Sequence, residues 1–215
     1  MPSDKLVLGF DTSAAHCAAA LVCGAQLLAS ASEEMARGQA ERLIPLLTEV
    51  LHAGGHGWAD LDALAVGVGP GNFTGIRIAV SAARGLALGL GIPAVGVSQF
   101  EARAEGLPRP LTVCEDARRN EVYVQEFTPE PGEPLLLDAA DAQGFAAFPV
   151  VGSAAMLWAA RTGGQVLAPR YPLAEAIARV GARKAASPQP ARPAPLYIRP
   201  ADAAPPAERP PLILP

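Results

Sequence analysis

The sequence predicts an α/β fold with two similar lobes, and three observations support this. In the first half, short apolar runs and helical patterns alternate in the order strand, strand, strand, helix, strand, helix, strand. Each half also begins with an apolar strand, an aspartate and a returning strand, at Asp11 and again at Asp116. Finally, 215 residues of 50% hydrophobic composition suffice for one domain or two small lobes with a buried core. Two short hairpins can look alike by chance, but a duplicated architecture explains the repetition directly.

The first half supplies a three-stranded meander followed by alternating helices and strands. The strands of the meander are KLVLGF, CAAALV and QLLAS. Leucine, isoleucine and valine recur at helical spacing over residues 40–52, and the pair Gly54 and Gly55 ends that helix. Pro45 interrupts the pattern, so it must lie in the first turn of the helix. LDALAVGVG and PAVGV then predict buried strands on either side of a helix at residues 74–90.

The second half is less regular. A short helix near residues 98–105 precedes a hairpin, LTVCEDARRNEVYVQEF, with a polar turn. Weaker patterns predict strands near residues 135 and 150 and helices near 153–161 and 173–184. The second lobe is therefore expected to be the smaller one.

A proline-rich segment closes the chain. Ten of the last 28 residues are proline, which excludes a regular helix there. We therefore divide the chain into an amino-terminal lobe at residues 1–98, a carboxy-terminal lobe at 99–187 and an extended segment at 188–215.

Composition excludes several classes of function. The net charge of −4 and the absence of lysine or arginine runs argue against strong independent binding to nucleic acid or acidic membranes, so an RNA substrate would need a partner to hold it. Cys17, Cys23 and Cys114 lack CxxC spacing and fit reduced thiols. The start has no signal-peptide pattern, and the longest apolar stretch, near residues 85–97, is broken by glycines and Pro93. We predict a cytoplasmic protein without a membrane span.

The most informative stretch is GVGPGNFTGIRIAVSAARGLALGLGIPAVGV, at residues 67–97. Its alternating glycines lie between a strand and a helix, where backbone can approach another surface closely and helix-end N–H groups can cradle an anion. It has neither the GK[ST] of a Walker loop nor a true GxGxxG. A tight turn with Thr74 as the helix N-cap explains the loop equally well.

Two helices are more apolar than helices that face solvent. Over residues 74–90 the only strongly polar side chains are Arg77, Ser81 and Arg84, which fall on one narrow stripe. The apolar residues of 40–52 also span more than one core stripe. Either both helices are buried on two sides, or part of their surface is reserved for another protein.

Four segments of the sequence, FDTS, GQAERLIPLL, GPGNFTGIR and DARRNEVY, resemble the TsaB (YeaZ) family, bacterial accessory proteins for threonylcarbamoyladenosine formation in tRNA. GPGNFTGIR is close to the family's GPGSFTGLR, and the similarity runs from about residue 5 to PLYIRP at 195–200. The resemblance implies a two-lobed actin-like ATPase fold, related to ribonuclease H, with duplicated βββαβα lobes of which the second is reduced.

The resemblance also implies a non-catalytic scaffold. In this family TsaB binds TsaD, which modifies adenosine 37 of tRNAs that read codons beginning with adenine, while TsaE supplies an ATPase. The tRNA is then contacted only indirectly, and the isolated protein can form a homodimer. The family's contact is a bundle of the two first-lobe helices, so arginine at Ala79 or Ala83 should abolish the heterodimer without unfolding the chain. The residues predicted to dock TsaD are Leu43, Leu47, Val50, Leu51, Ile76, Ala79, Val80, Ala83 and Leu86.

Nucleotide chemistry is expected to be degenerate. Asp11, Thr12 and Ser13 match the first phosphate loop of actin-like ATPases, although a hydroxyl turn explains them equally well. DARRNE lacks the glycine of a second phosphate turn, so we expect no cofactor beyond weak ATP or ADP binding. The alternative is a stand-alone ATP-dependent phosphotransferase, which would turn over ATP without a partner.

A histidine pair suggests a third function, that of a metallopeptidase of the glycoprotease type. The TsaD relative binds a metal through an HxxxH pair on a helix, and His52 and His56 have that spacing. In HAGGH, however, two glycines lie where the helix ends, so the spacing does not place both imidazoles on one face. We predict no metal, whereas the peptidase alternative predicts stoichiometric zinc.

Overall fold

Alternating strands and helices build two β-sheets in residues 4–199, the part of the chain that this computed structural model describes. The first half contains β1 (Leu6–Asp11), β2 (His16–Cys23), β3 (Gln26–Glu34), α1 (Gln39–Ala53), β4 (Ala63–Gly67), α2 (Phe73–Leu90), β5 (Ala94–Val97) and α3 (Gln99–Ala104). The second half contains β6 (Leu111–Arg118), β7 (Glu121–Phe127), β8 (Leu135–Asp138), β9 (Val150–Val151), α4 (Ala155–Thr162) and α5 (Leu173–Lys184). Each of these elements lies within a few residues of a predicted one.

The two sheets share one topology. The first has the order β3-β2-β1-β4-β5 and the second the order β8-β7-β6-β9. In both, an antiparallel meander is extended by a parallel strand on the far side of its first strand. This arrangement confirms the duplicated two-lobed α/β architecture, and the second sheet is the smaller.

Helices cover both faces of the first sheet, and this explains why β1 and β4 are buried at every residue. On one face, α1 and α2 pack leucines and alanines against Leu8, Phe10 and Leu64. On the other face, α5 packs Ile177 against a cluster that includes Val7. The two faces alternate along each strand, as side chains in a strand must.

The helix α5 lies on the first sheet, although the sequence places it in the segment predicted as the second lobe. Among residues 4–98, the helices α1 and α2 pack on the opposite face, and this face is covered by α5 from later in the chain. Small residues allow a close fit, since a Cβ added at Gly181 would lie 2.2 Å from the Cβ of Ala65. The limits 1–98 and 99–187 remain a prediction along the chain, while in space α5 belongs with the first sheet.

Pro45 does not lie in the first turn of α1, as the sequence pattern required, but further inside the helix. The ring is exposed, and the carbonyl four residues earlier belongs to Glu41, which is also exposed. Water can therefore bond this carbonyl in place of the missing backbone N–H, which is why the helix tolerates the proline.

Residues 193–199, called the strap below, connect the two lobes. Arg84 Nε donates to the carbonyl of Pro193 at 2.8 Å, and the backbone N–H of Leu196 donates to the carbonyl of Val68 at 2.8 Å. The Leu196 side chain packs against core clusters of both lobes. Residues 188–199 form neither helix nor strand, as predicted, and the remainder of the predicted extended segment lies outside the described residues.

Candidate functional site

The β1–β2 turn is closed by its own hydrogen bonds. Asp11 Oδ1 accepts from the backbone N–H of Ser13 and from Ser13 Oγ, each at 2.9 Å. The same oxygen lies 2.8 Å from His16 Nε2. Asp11 and Thr12 are 0% exposed and Ser13 is 1% exposed. The turn is therefore a buried, internally bonded joint.

The glycine-rich loop between β4 and α2 packs directly onto this turn. Thr12 Oγ1 donates to the carbonyl of Gly75 at 2.7 Å, and the Asn72 N–H donates to the carbonyl of Ser13 at 2.6 Å. A Cβ at Gly75 would lie 1.9 Å from the Thr12 carbonyl oxygen, and one at Gly67 would lie 1.9 Å from Asp11 Oδ2. The glycines thus let backbone approach another part of the same chain.

The N-cap of α2 is Asn72 and not Thr74. Asn72 has extended backbone, and its side chain accepts from the N–H of Gly75 at 2.9 Å. Thr74 lies one residue inside the helix, where a side chain cannot bond the N–H groups of the first turn as a cap does.

These residues do not fit a nucleotide phosphate or its magnesium ion. Asp11 Oδ1 has three polar neighbours, and Asp11 Oδ2 is buried without a hydrogen-bond partner among the described residues. A phosphate would have to displace the loop that ends at Gly75 to reach Thr12. The assignment of Asp11, Thr12 and Ser13 to nucleotide contact is thus corrected to a structural role, because the chain's own backbone occupies that position.

A cleft of about 1100 Å³ lies between the lobes, and Ser13 and His16 reach its wall. The α1 start and the β6–β7 hairpin form opposite parts of the lining. At its base Arg103 Nε donates to Glu115 Oε1 at 2.9 Å, and Ser153 Oγ donates to Glu115 Oε2 at 2.5 Å. Further arginines line the cleft, namely Arg37, Arg118, Arg119 and Arg199.

The tip of the β6–β7 hairpin has an unusual backbone. Arg118, Arg119 and Asn120 have φ angles of 62°, 55° and 63°, the left-handed region that normally favours glycine. The sequence predicted DARRNE as a polar hairpin turn without the glycine of a phosphate turn, and did not predict this backbone conformation. Asn120 was the one signal, because asparagine tolerates left-handed backbone better than arginine does.

The residues predicted to dock TsaD face the core instead. All but Leu86, which is half-buried, are at most 3% exposed, and they pack against the first sheet. Helical periodicity identified the most apolar stripe of each helix, and this is the stripe that packs on the first sheet. Arginine at Ala79 or Ala83 would thus unfold the chain, so neither substitution tests docking. The corrected residues are Leu43, Leu47, Val50, Leu51, Ile76, Ala79, Val80 and Ala83.

The opposite faces of these helices remain uncovered by the described chain. Ile44 on α1 is 42% exposed and Leu88 on α2 is 87% exposed. By length and composition α2 is apolar enough to cross a membrane, yet it packs along the first sheet with 28% of its residues buried. We interpret α2 as a surface helix whose outer face is apolar without being core.

Comparison with known proteins assigns the chain to a family. The sequence model of TsaD, tRNA N6-adenosine threonylcarbamoyltransferase, matches residues 29–183. The chain belongs to the TsaD family. Within that family it is 36% identical over 126 residues to the Escherichia coli K12 tRNA threonylcarbamoyladenosine biosynthesis protein TsaB, covering 56% of this chain and 54% of that protein. The chain spans about half the length of the curated relatives it matches.

Solved structures match most of the chain. A Pseudomonas aeruginosa protein described as similar to the peptidase YeaZ shares 28% identity with a TM-score of 0.75, covering 91% of this chain and 100% of that one. Component A of the Acidaminococcus fermentans (R)-2-hydroxyglutaryl-CoA dehydratase has a TM-score of 0.59 at 11% identity, covering 86% of this chain and 100% of that one. The second match shows the actin-like fold alone.

In this TsaD-family chain the histidine pair is split between two elements. His52 is exposed in the last turn of α1, whereas His56 follows the helix and places Nδ1 3.7 Å from Asp60 Oδ2. Among residues 4–199 no three His, Cys, Asp or Glu side chains are placed to hold a metal ion. All three cysteines are unpaired thiols, and burial raises the pKa of Cys17 to about 11 and of Cys114 to about 12.

Proposed function

We propose that this chain is a non-catalytic accessory subunit in the biosynthesis of threonylcarbamoyladenosine in tRNA, and that it acts in the cytoplasm by binding the TsaD transferase, with TsaE as the ATPase of the complex. The names of its relatives supply the pathway. The observation that carries the docking role is the uncovered outer face of α1 and α2.

Glycines on this outer face support a close protein contact. Gly75 of α2 has a reason within the chain, because a Cβ there would clash with Thr12. A Cβ at Gly85 or Gly89 would meet nothing within 4 Å. Glycine inside a helix costs about 0.5–1 kcal/mol relative to alanine, so these two residues weaken α2 without any benefit to its own packing. Small residues let a second helix approach closely.

Large apolar side chains on the same face support the same role. Leu88 is the most exposed of the large hydrophobic side chains described, and Ile44 of α1 is also exposed. The rest of the chain covers other surfaces: α5 covers the far face of the sheet, and the strap bonds Arg84 along one flank of α2. We define the docking face by its members: Ile44, Thr48, Ile78, Ser81, Gly85, Leu88 and Gly89.

A scaffold role also agrees with the closed β1–β2 turn. Asp11 is the residue that would position a metal ion in an actin-like ATPase. Its Oδ1 accepts hydrogen bonds from the N–H and the hydroxyl of Ser13, and its Oδ2 is buried. We therefore expect the purified chain not to hydrolyse ATP. Steady turnover of ATP by the chain alone would instead favour a phosphotransferase.

Co-elution with TsaD in size-exclusion chromatography tests the docking face. The matched variants are Leu88→Arg on α2 and Met156→Arg on α4, because these large apolar side chains are 87% and 79% exposed and neither substitution disturbs the core. We expect Leu88→Arg to abolish co-elution and Met156→Arg to preserve it, with both variants keeping the wild-type circular dichroism spectrum.

Two results would contradict the proposal. Equal co-elution of both variants with TsaD would place the contact elsewhere. If Leu88→Arg only converts a homodimer of the chain into monomers and leaves TsaD binding intact, the face serves self-association instead.

A further inference from the structure

An exposed cluster of two aromatic rings and one arginine lies where α2 meets the strap. The Arg77 guanidinium carbon lies 3.7 Å from the Phe73 ring centroid, and Arg77 Nε donates to Tyr197 Oη at 3.0 Å. The Phe73 and Tyr197 rings are 5.5 Å apart and each residue is 50% exposed. Neither ring belongs to a core cluster of the described chain. The three side chains order one another without contributing to the core.

This aromatic cluster is joined to the arginine-bearing hairpin. Arg199, two residues after Tyr197, donates from Nη2 to the carbonyl of Ala117 at 2.8 Å and pairs with Glu121. Ala117 directly precedes Arg118 at the hairpin tip. The rings and the hairpin therefore form one continuous rim, and Phe73 and Arg118 both line the cleft between the lobes.

Arg118 on this rim is held in an unfavourable backbone conformation. Arg118 holds a left-handed backbone that disfavours any side chain with a Cβ, so glycine would be the cheaper residue there. No carboxylate among residues 4–199 forms an ion pair with Arg118 or with Arg37 across the cleft. Arginine side chains kept without acidic partners are suited to phosphate groups.

We propose that this rim, together with Arg37 before α1, binds single-stranded RNA, with unpaired bases stacked on Phe73 and Tyr197 and the backbone phosphates held by Arg37 and Arg118. Unpaired bases are recognised by stacking on aromatic rings and guanidinium planes, and the phosphates follow a groove lined by arginine. The inference rests on the proposed function, because it assigns to this chain a direct contact with the loop of the tRNA substrate.

The observations favour RNA over a second protein at this rim. The apolar docking face lies on the side of α2 that carries Gly85 and Leu88, whereas the rim carries arginine and aromatic groups. The whole chain has a charge of −4, so the rim is a local exception. Binding by the isolated chain is accordingly expected to be weak and to weaken further as salt rises.

Fluorescence anisotropy with a labelled RNA hairpin that has a single-stranded loop tests the inference, using the full chain alone and in complex with TsaD. We expect Phe73→Ala and Tyr197→Ala each to raise Kd by about tenfold through loss of base stacking. Tyr197→Phe retains the ring and is the matched control, with Kd within about twofold of wild type. Arg118→Ala is expected to lower the salt dependence of log K by about 0.7 through loss of one phosphate contact.

Fully paired RNA should fail to compete, since its bases are already stacked. Unchanged RNA affinity of Phe73→Ala and Tyr197→Ala would overturn the inference. If these variants lose TsaD in co-elution and keep RNA affinity, the rim is a protein contact and the inference is wrong. Absence of RNA binding by wild type in both forms, with TsaD co-elution intact, would refute this inference alone and leave the proposed function standing.

Discussion

The two lobes contain the same strand, aspartate and hairpin motif, but they use it in opposite ways. In the β1–β2 turn, Asp11 is buried and bonded to Ser13 and His16. In the β6–β7 turn, Asp116 is exposed and its Oδ1 accepts from the N–H of Arg118 at 2.8 Å. The β1–β2 turn is buried and bonded internally, whereas side chains of the β6–β7 turn line the cleft.

What separates the two turns is the segment packed over each of them. The glycine-rich loop and the first turn of α2 cover the first turn so closely that Gly75 admits no Cβ. At the second turn, Ser153 Oγ accepts from the Asp116 N–H at 2.9 Å, and the tip beyond remains exposed. The segment that packs on each turn therefore determines whether the shared motif is buried or exposed.

The largest expected effect tests the sealed turn from its covering side. Gly75→Ala should lower the free energy of unfolding by about 3 kcal/mol, because the new Cβ would overlap the Thr12 carbonyl. Gly85→Ala on the same helix is the control and should raise stability by about 0.5–1 kcal/mol. Urea denaturation measures both, and equal effects of the two substitutions would contradict a sealed first turn.

The second largest expected effect is the difference in unfolding free energy between alanine substitutions of the two aspartates. Asp11→Ala leaves the buried N–H and hydroxyl of Ser13 without their acceptor, and should cost about 2–3 kcal/mol of unfolding free energy. Asp116→Ala, at the corresponding exposed position, should change it by about 0.5 kcal/mol or less. Similar urea midpoints for the two variants would show that the motif is equally structural in both lobes.

Relief of backbone strain in the open turn should give a smaller effect of opposite sign. Arg118→Gly removes the unfavourable left-handed arginine, and after the entropy cost of glycine we expect a gain of about 0.5 kcal/mol. Arg118→Ala keeps a Cβ and should gain nothing. If Arg118→Gly is more stable and also binds the RNA hairpin more weakly, strain and function are linked at this residue.

Both hairpins bury a thiol whose ionisation affects stability only at alkaline pH. The folded pKa values of Cys17 and Cys114 are raised from 9.0 to about 11 and about 12, first of all by burial. Above pH 9 the unfolded chain loses these protons more readily than the folded one, so stability should fall between about pH 9 and 12. A Cys17→Ala, Cys114→Ala double variant should flatten this decline in thermal melting, and an unchanged slope would be contrary evidence.

The secondary structure, which depends on local sequence pattern, could be predicted. The packing of one element on another could not. The strands and helices follow from periodicity and the duplication from the repeated motif at Asp11 and Asp116, and these predictions were confirmed. The destination of α5 was not predictable, because nothing local in LAEAIARVGARK shows which sheet it covers. For the same reason the docking residues were wrong: periodicity identifies an apolar stripe such as Leu47 and Ile76, while the outer face is distinguished only by glycines without a clash.

The return of α5 to the first sheet has a consequence for synthesis on the ribosome. The side chain of Lys5 donates to the carbonyl of Ala185, 180 residues later, so β1 acquires α5 as a neighbour only after the residues between them have been synthesised. At ordinary elongation speeds that delay is roughly ten to thirty seconds, and during this time the apolar face of the first sheet that α5 later covers is exposed. Binding of chaperones to the nascent chain is thus expected to end once α5 leaves the exit tunnel.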